Sequence, residues 1–304
     1  MDRCSNGDLR ARPARRPERM RTIYLFCRYN KAVKMRPDMY KLVALDLDGT
    51  LLTTDKKITA RTRWAIHQLV EQGVIIVLAS GRTLTGIQGV INALSLDSNN
   101  VYVISCNGAQ IWSASTQHFI SNQLLQAGDV HCIRQWGCRI GMVCYAQHTS
   151  GLVVEVDQDI PIRASRYSHL SIHLTADERL LNTPVPKVMF IDDVETIDYL
   201  SERLPAEIKN KYQCVRSEPN YYEMMVKGVN KGNACRILAT HLDILPADIL
   251  AIGNERNDCE MLRFAGRGIA MGNADDVVKR CADDITTSND DDGVANAIER
   301  FCLH

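Results

Sequence analysis

Asp46-Leu47-Asp48-Gly49-Thr50 closes an apolar run, Lys41-Leu-Val-Ala-Leu45, and sets two carboxylates two residues apart where a buried strand would give way to a loop. Like charges so close together repel and resist desolvation, so the pair calls for a cation, and a hard divalent ion such as Mg2+ is the natural one. A strand that simply ends in an Asp-Gly turn accounts for the isolated Asp-x-Asp-Gly about as well. The remainder of the chain has to decide. Three later segments hold further groups of interest: Ala79-Ser80-Gly81-Arg82-Thr83, Gly228-Val-Asn-Lys231-Gly232, and Ile252-Gly253-Asn254-x-x-Asn257-Asp258-x-x-Met261.

Such segments need elements to bring them together. From Lys41 to Cys106 short apolar runs alternate with helical stretches. Strands are expected over Leu42–Leu47, Val74–Ala79 and Val101–Cys106. A helix is expected from an N-cap at Thr59 through Glu71, ended by Gly73, and another over Thr83–Leu94. Near-continuous apolar runs are what strands covered on both faces require, so the chain reads as α/β, a doubly wound, Rossmann-like parallel sheet. The same grammar returns later: helix Lys231–His241, strand Ile249–Ile252, helix Glu255–Ala265, strand Gly268–Met271, then helices over Ala274–Arg280 and Gly293–Phe301. Ligands bind where the strands of such a sheet end, so Asp46 and Asp48 should meet the loops after Ala79, Cys106 and Ile252.

Between Phe119 and Pro219 the pattern changes. Half-exposed strands are expected over Arg139–Ala146, Leu152–Val156, Leu170–Thr175, Lys187–Asp192 and Tyr212–Arg216, with helices near Asn122–Gly137 and Glu195–Leu204. The reading is an α+β insertion at 119–219 in a core formed by 39–118 and 220–304. Its connections fall beside the catalytic edge, which suits a lid that closes over substrate and excludes water.

The 304 residues, 45% of them hydrophobic, suffice for two domains. Residues 1–40 hold 11 Lys/Arg against 4 Asp/Glu, which leaves 25 against 32 from the totals of 36 each for the rest. The body is mildly acidic, which argues against a general nucleic-acid binder. Residues 1–38 lack apolar periodicity and are expected to lie outside the fold, as a disordered or non-native leader before a start at Met35 or Met39. With no signal-peptide apolar region and no run of about 18 apolar residues, nothing suggests export or a membrane. Eleven cysteines in mainly apolar surroundings, none paired at zinc spacing, read as reduced thiols of a cytoplasmic protein. No feature sets an oligomeric state.

Taken in order, the four segments closely resemble the motifs of the haloacid dehalogenase superfamily, specifically the Cof-type (cap class IIB) sugar phosphatases, whose cap lies between the second and third motifs. The resemblance spans residues 40–304 and extends to Cys106-Asn107-Gly108-Ala109, Gly268-Ile-Ala-Met-Gly-Asn-Ala274 and Asn289-Asp-Asp-Asp-Gly293. It implies a Mg2+-dependent phosphoric monoester hydrolase acting on a small phosphorylated metabolite. Asp46 would be the nucleophile that forms an aspartyl phosphate, and Asp48 the acid and then the base. Lys231 would supply positive charge to the transferring group. Leu47, Ser80, Gly81, Asn107, Gly108 and Asn257 would contact phosphate or substrate, and Asp46, Asp48, Asn254 and Asp258 would hold or orient the metal.

One position departs from the pattern. Where the family usually carries Asp, this chain has Asn254, which offers an amide oxygen to Mg2+ but removes one negative charge, so metal affinity should fall. A phosphosugar mutase and a phospholigand-binding regulator with decayed catalysis are the competing functions. On the insertion, Arg163, Arg166, His169 and His173 are candidate substrate contacts, whereas Tyr221 and Tyr222 are expected to pack rather than to meet a ligand. Arg82 suits an acidic neighbour as well as a substrate.

Overall fold

A computed structural model describes residues 40–149, 151–155, 171–177, 180 and 183–303. The expected leader at 1–38 lies outside the described residues, as do Arg163, Arg166 and His169.

In chain order the strands are β1 (Leu42–Asp46), β2 (Ile75–Ala79), β3 (Val101–Ser105), β4 (Gln110–Ser113), β5 (His118–Asn122), β6 (Cys144–His148), β7 (Gly151–Glu155), β8 (Ile172–Thr175), β9 (Val188–Ile191), β10 (Tyr212–Glu218), β11 (Tyr221–Val226), β12 (Ile249–Gly253), β13 (Arg267–Ala270) and β14 (Asp284–Ile285). The helices are α1 (Ala60–Glu71), α2 (Leu84–Leu94), α3 (Ala127–Arg139), α4 (Val194–Arg203), α5 (Ala206–Lys211), α6 (Lys231–His241), α7 (Cys259–Phe264), α8 (Asp276–Lys279) and α9 (Gly293–Cys302).

The first sheet runs β14-β13-β12-β1-β2-β3-β4-β5. From β14 to β3 every pairing is parallel, with β1 at the centre: Leu42 sits beside Ile249 on one side and Ile75 on the other. All five residues of β1 are buried, as a strand covered on both faces must be. On one face Leu42, Ala44, Val77 and Ile104 pack with Ala234 and Leu238 of α6, Met261 and Leu262 of α7, and Val278 of α8. Thr59 caps α1 by accepting from the Thr62 N–H, and Thr83 caps α2 by accepting from the Gly86 N–H, so each helix begins where its hydroxyl residue stands. Among the described residues no helix is long and apolar enough to cross a membrane.

The second sheet runs β10-β11-β9-β6-β7-β8, antiparallel except for the β7–β8 pair. Its core gathers Val130 and Ile133 of α3, Ile197 and Leu200 of α4, Phe190, and Tyr222. Four local readings need correction. Gln110–Asn122 forms an antiparallel hairpin that extends the first sheet, pairing Ile111 with Ser121 and Trp112 with Phe119, so the expected helix from Asn122 starts only at Ala127. Tyr221–Val226 belongs to the second sheet, because this apolar run lies between β9 and β10, and the return to the first sheet comes after Val226 rather than at 219. The segment expected as strand over Arg139–Ala146 first completes α3, turns at Gly141 with φ of 73°, and pairs only from Cys144. Glu255–Ala265 opens with a 3-10 turn over Arg256–Asp258, because the Asp258 carboxylate turns back onto the preceding N–H groups.

Candidate active site

β1 delivers Asp46 to the carboxyl end of the parallel sheet, where its side chain is 7% exposed. The chain then reverses sharply: Gly49 adopts φ of 74°, and the Leu51 and Leu52 N–H groups donate back to the carbonyls of Asp46 and Leu47. A Cβ at Gly49 would fall 2.4 Å from the Asn254 amide, so glycine is required there both for its backbone and for its lack of bulk.

Lys231, the first residue of α6, is 2% exposed and donates from Nζ to Asp46 Oδ1 and to Asp258 Oδ1, each at 2.7 Å. Asn230 fixes that helix start by accepting from the Asn233 N–H at 2.7 Å. Asp258 is fully buried, and its second oxygen accepts from the Asn254 and Glu255 N–H groups at 3.0 Å each. Burial and then the Asp258 charge push the Asp46 carboxyl up to about 7, with Lys231 and the Leu47 N–H pulling the other way. Asp48 behaves oppositely. Burial raises its carboxyl, but hydrogen bonds and charge from Arg82 and Lys56 outweigh that and hold it below the usual carboxylate range. Arg82 Nε donates to Asp48 Oδ2 at 2.8 Å and Lys56 Nζ to Oδ1 at 2.7 Å, so Arg82 has found the acidic neighbour.

The β2 and β3 loops are tied together at the same edge: Ser80 Oγ accepts from the Arg82 N–H, and the Asn107 N–H donates to the Ser80 carbonyl at 3.0 Å. Asn107 lies in the left-handed region at φ of 56°. Its Nδ2 donates to Glu223 Oε2 at 2.6 Å, and its Oδ1 accepts from Asn257 Nδ2 at 3.0 Å. Glu223 pairs in turn with Lys187 at 2.7 Å, and Lys187 Nζ also donates to the Gly81 carbonyl at 3.0 Å. The two side chains are only 5% and 3% exposed, so a buried ion pair on the second sheet reaches across to the loop after β2.

A cavity of about 760 Å³ opens over these groups, lined by Asp46, Asp48, Ser80, Gly81, Arg82, Lys231, Asn254 and Asn257 from the first sheet's side and by Gln147, Lys187, Ser217, Glu218, Tyr221 and Glu223 from the other. Its size suits a small metabolite.

A model of the haloacid dehalogenase-like hydrolases matches residues 43–298. The chain belongs to that family. This haloacid dehalogenase-like phosphatase is 35% identical over 269 residues to the Bacillus subtilis (strain 168) protein YxeH, covering 87% of this chain and 99% of that one. It is 31% identical over 264 residues to the 5-amino-6-(5-phospho-D-ribitylamino)uracil phosphatase YcsE of the same organism, covering 86% and 96%. Among solved structures, a haloacid dehalogenase-like hydrolase from Bacteroides thetaiotaomicron superposes with a TM-score of 0.76 at 32% identity, covering 86% of this chain and 99% of that one.

The phosphatase's site differs from the sequence expectation in several particulars. Asp46, Asp48, Ser80, Gly81, Lys231, Asn254 and Asn257 line the cavity, but Leu47, Asn107, Gly108 and Asp258 are not part of its wall. Leu47 is fully buried and acts through its N–H. Gly108, at φ of 103°, is pressed against the start of α6, where a Cβ would lie 2.4 Å from the Asn230 carbonyl oxygen, so its lack of a side chain spaces the loop. Asn107 and Asp258 act through Asn257 and Lys231. Tyr222 packs in the second core as expected, whereas Tyr221 lines the cavity, and His173 is exposed on β8 and away from the cavity wall.

Among the described residues no three His, Cys, Asp or Glu side chains are placed to hold a metal together. The Asp258 oxygens accept from Lys231 and from backbone N–H groups, and those of Asp48 from Arg82 and Lys56. A different oxygen set converges. The inner end of the Asn254 amide lies 3.0 Å from Asp46 Oδ2 and 2.9 Å from the Asp48 main-chain oxygen. Mg2+ holds octahedral oxygens at about 2.0–2.1 Å, which places neighbouring oxygens about 2.9–3.0 Å apart. An inward Asn254 Oδ1 would therefore stand at the spacing of neighbouring ligands from both Asp46 Oδ2 and the Asp48 carbonyl, so these three oxygens fit the ion's chemistry.

Sequence reasoning missed Lys56, Lys187, Ser217, Glu218 and Glu223. For two of them a signal existed: Lys187 opens the apolar run Val188–Ile191, and Glu223 interrupts Tyr221–Val226, and charges inside apolar runs are buried only when paired.

Proposed function

We propose that this phosphatase hydrolyses small phosphate monoesters, with sugar and polyol phosphates as the substrate class, by way of an aspartyl phosphate on Asp46. The observation that carries the reading is the buried Lys231 bridge, which fixes Asp46 through its Oδ1 at a position where Asp46 lines the cavity. A carboxylate oxygen of Asp46 attacks phosphorus, the bond from phosphorus to the ester oxygen breaks, and that oxygen leaves with a proton from Asp48 as the alcohol. Water then attacks phosphorus, gives its proton to Asp48, and releases phosphate and Asp46.

Lys231 stabilises the charge developing on the transferring oxygens, and Ser80 Oγ and the Gly81 N–H stand at the rim to orient them. Arg82 and Lys56 hold Asp48 ionised in the free protein. Both line the cavity, and an incoming phosphate draws the two cations to its own oxygens, which lets Asp48 take up from solvent the proton it must donate. Asp46 Oδ2, the Asp48 carbonyl and Asn254 would hold Mg2+, which when bound neutralises phosphate charge.

The polar wall from the second sheet, Gln147, Ser217, Glu218 and Tyr221, supports a polyhydroxylated substrate, and the ribityl phosphate named for YcsE is of that kind. A phosphate-release screen across phosphorylated metabolites, with and without Mg2+, tests the reading. The expected result is Mg2+-stimulated release concentrated in sugar and polyol phosphates. A folded protein that releases phosphate from nothing in the panel would sink it.

A further inference from the structure

Asn254 occupies the point on which the candidate cation site turns, and the two ends of its side chain make two different sites there. The residue is 7% exposed. Its inner atom lies 3.0 Å from Asp46 Oδ2, 2.9 Å from the Asp48 carbonyl oxygen and 2.9 Å from Thr50 Oγ1. With nitrogen inward, two N–H groups meet a carboxylate and a carbonyl, and both acceptors are satisfied with no ion at all. With oxygen inward, Asn254 Oδ1 accepts from Thr50 Oγ1 at 2.9 Å and stands at the spacing of neighbouring Mg2+ ligands from both Asp46 Oδ2 and the Asp48 carbonyl oxygen. A half-turn of the amide interconverts them without moving the backbone, and Gly49 leaves room for its outer end.

The charges point the same way. Asp46 and Asp258 share one ammonium, Lys231, so the buried cluster carries a single excess negative charge when both acids are ionised. A carboxylate at position 254 would make that two and leave the site dependent on a cation for its stability. An amide avoids the dependence and can donate as well as accept, which no carboxylate does once ionised.

We propose that Asn254 is an amide toggle: its NH2 group stands in for the divalent cation while the site is empty, and its carbonyl completes the cation site once a phosphate arrives. This rests on the phosphatase reading of the same site. Cation binding then competes with internal hydrogen bonds, is weak in the free protein, and strengthens when phosphate oxygens complete the ion's shell.

Mn2+ binding measured by electron paramagnetic resonance, on the full chain and on Asn254→Asp, with and without inorganic phosphate, tests this. Without phosphate the wild type should bind Mn2+ about 10- to 100-fold more weakly than the variant, the range over which loss of a tuned site group acts. Inorganic phosphate should narrow that gap. In thermal melts, chelator should leave the wild type unmoved and lower the variant's midpoint, with Mn2+ restoring it. Equal affinities without phosphate, or a wild type that chelator destabilises, would overturn the proposal. A variant that folds only with Mn2+ present supports it. Should the variant not fold at all, the wild-type arm decides, since tight Mn2+ binding without phosphate is incompatible with an inward NH2. Neither readout involves turnover, so a failed substrate screen would remove the phosphatase reading and leave this result standing.

Discussion

Replacing Asp46 by Asn should abolish turnover and yet stabilise the fold, and the gain should depend on pH. Burial and the neighbouring Asp258 raise the Asp46 carboxyl from 3.8 to about 7. Each pH unit corresponds to about 1.4 kcal/mol, so ionising this group costs on the order of 4 kcal/mol more in the folded chain than in the unfolded one. The pH window follows from the two values. Below pH 3.8 both states hold the proton and Asp46 contributes no difference. Between 3.8 and about 7 only the folded chain holds it, so stability falls as the pH rises through that window, and above about 7 the whole penalty remains. The amide of the Asp46→Asn variant would be neutral throughout, would keep an oxygen for Lys231, and would present an NH2 group to which the Asn254 amide can turn its own oxygen.

Urea unfolding of both proteins in chelator, from about pH 4 to about pH 8, reads this directly. The difference in unfolding free energy should move in the variant's favour by up to about 4 kcal/mol across the range. Two parallel pH profiles would show that Asp46 is not the strained group described above. Phosphate release by the folded variant would separately remove the covalent route.

Asp48→Asn should lower kcat by about 10²- to 10⁴-fold, as expected for loss of an acid and base, and rapid-quench measurement should show which step has slowed; unchanged kinetics would refute the role. Glu223→Gln leaves Lys187 charged, buried and short of its partner, and should cost about 3–5 kcal/mol by chemical denaturation. A single-variant cost under about 1 kcal/mol would mean the pair is solvated in solution. Gly108→Ala must strain a residue at φ of 103° and press a methyl on the Asn230 carbonyl, so it should lose at least about 1–3 kcal/mol of stability. A raised KM with unaltered stability would instead return Gly108 to the substrate's side.

How far this was legible from sequence differs between the two sheets for a physical reason. The first sheet announces itself because β1, β2, β3 and β12 are buried on both faces, and an unbroken apolar run bounded by Thr caps and Gly stops leaves little else for Leu42–Asp46 to become. Helix α6 was legible to the residue, and Asn230 caps its start. The hairpin of β4 and β5 was not, because Gln110–Asn122 is a sheet edge, with His118 and Phe119 exposed, and only long-range pairing decides that it is strand. The site was legible as a set of residue types in order, and Asp46, Lys231 and Asp258 do meet at 2.7 Å. Direction was what the letters could not carry. Nothing in the string Asp-Leu-Asp says that Asp46 faces Lys231 while the Asp48 side chain turns to Arg82 and leaves only its carbonyl beside the Asn254 amide. Nor does Gly-Asn-Glu-Arg-Asn-Asp say that the last carboxylate is spent on its own backbone and on Lys231. The orientation of a side chain at a turn is set by whichever partner the rest of the fold supplies, here a guanidinium 34 residues away and an ammonium 185 residues away. A motif therefore lists the groups that a site contains, while the charges brought in from elsewhere determine which oxygen each group turns toward the reacting phosphate.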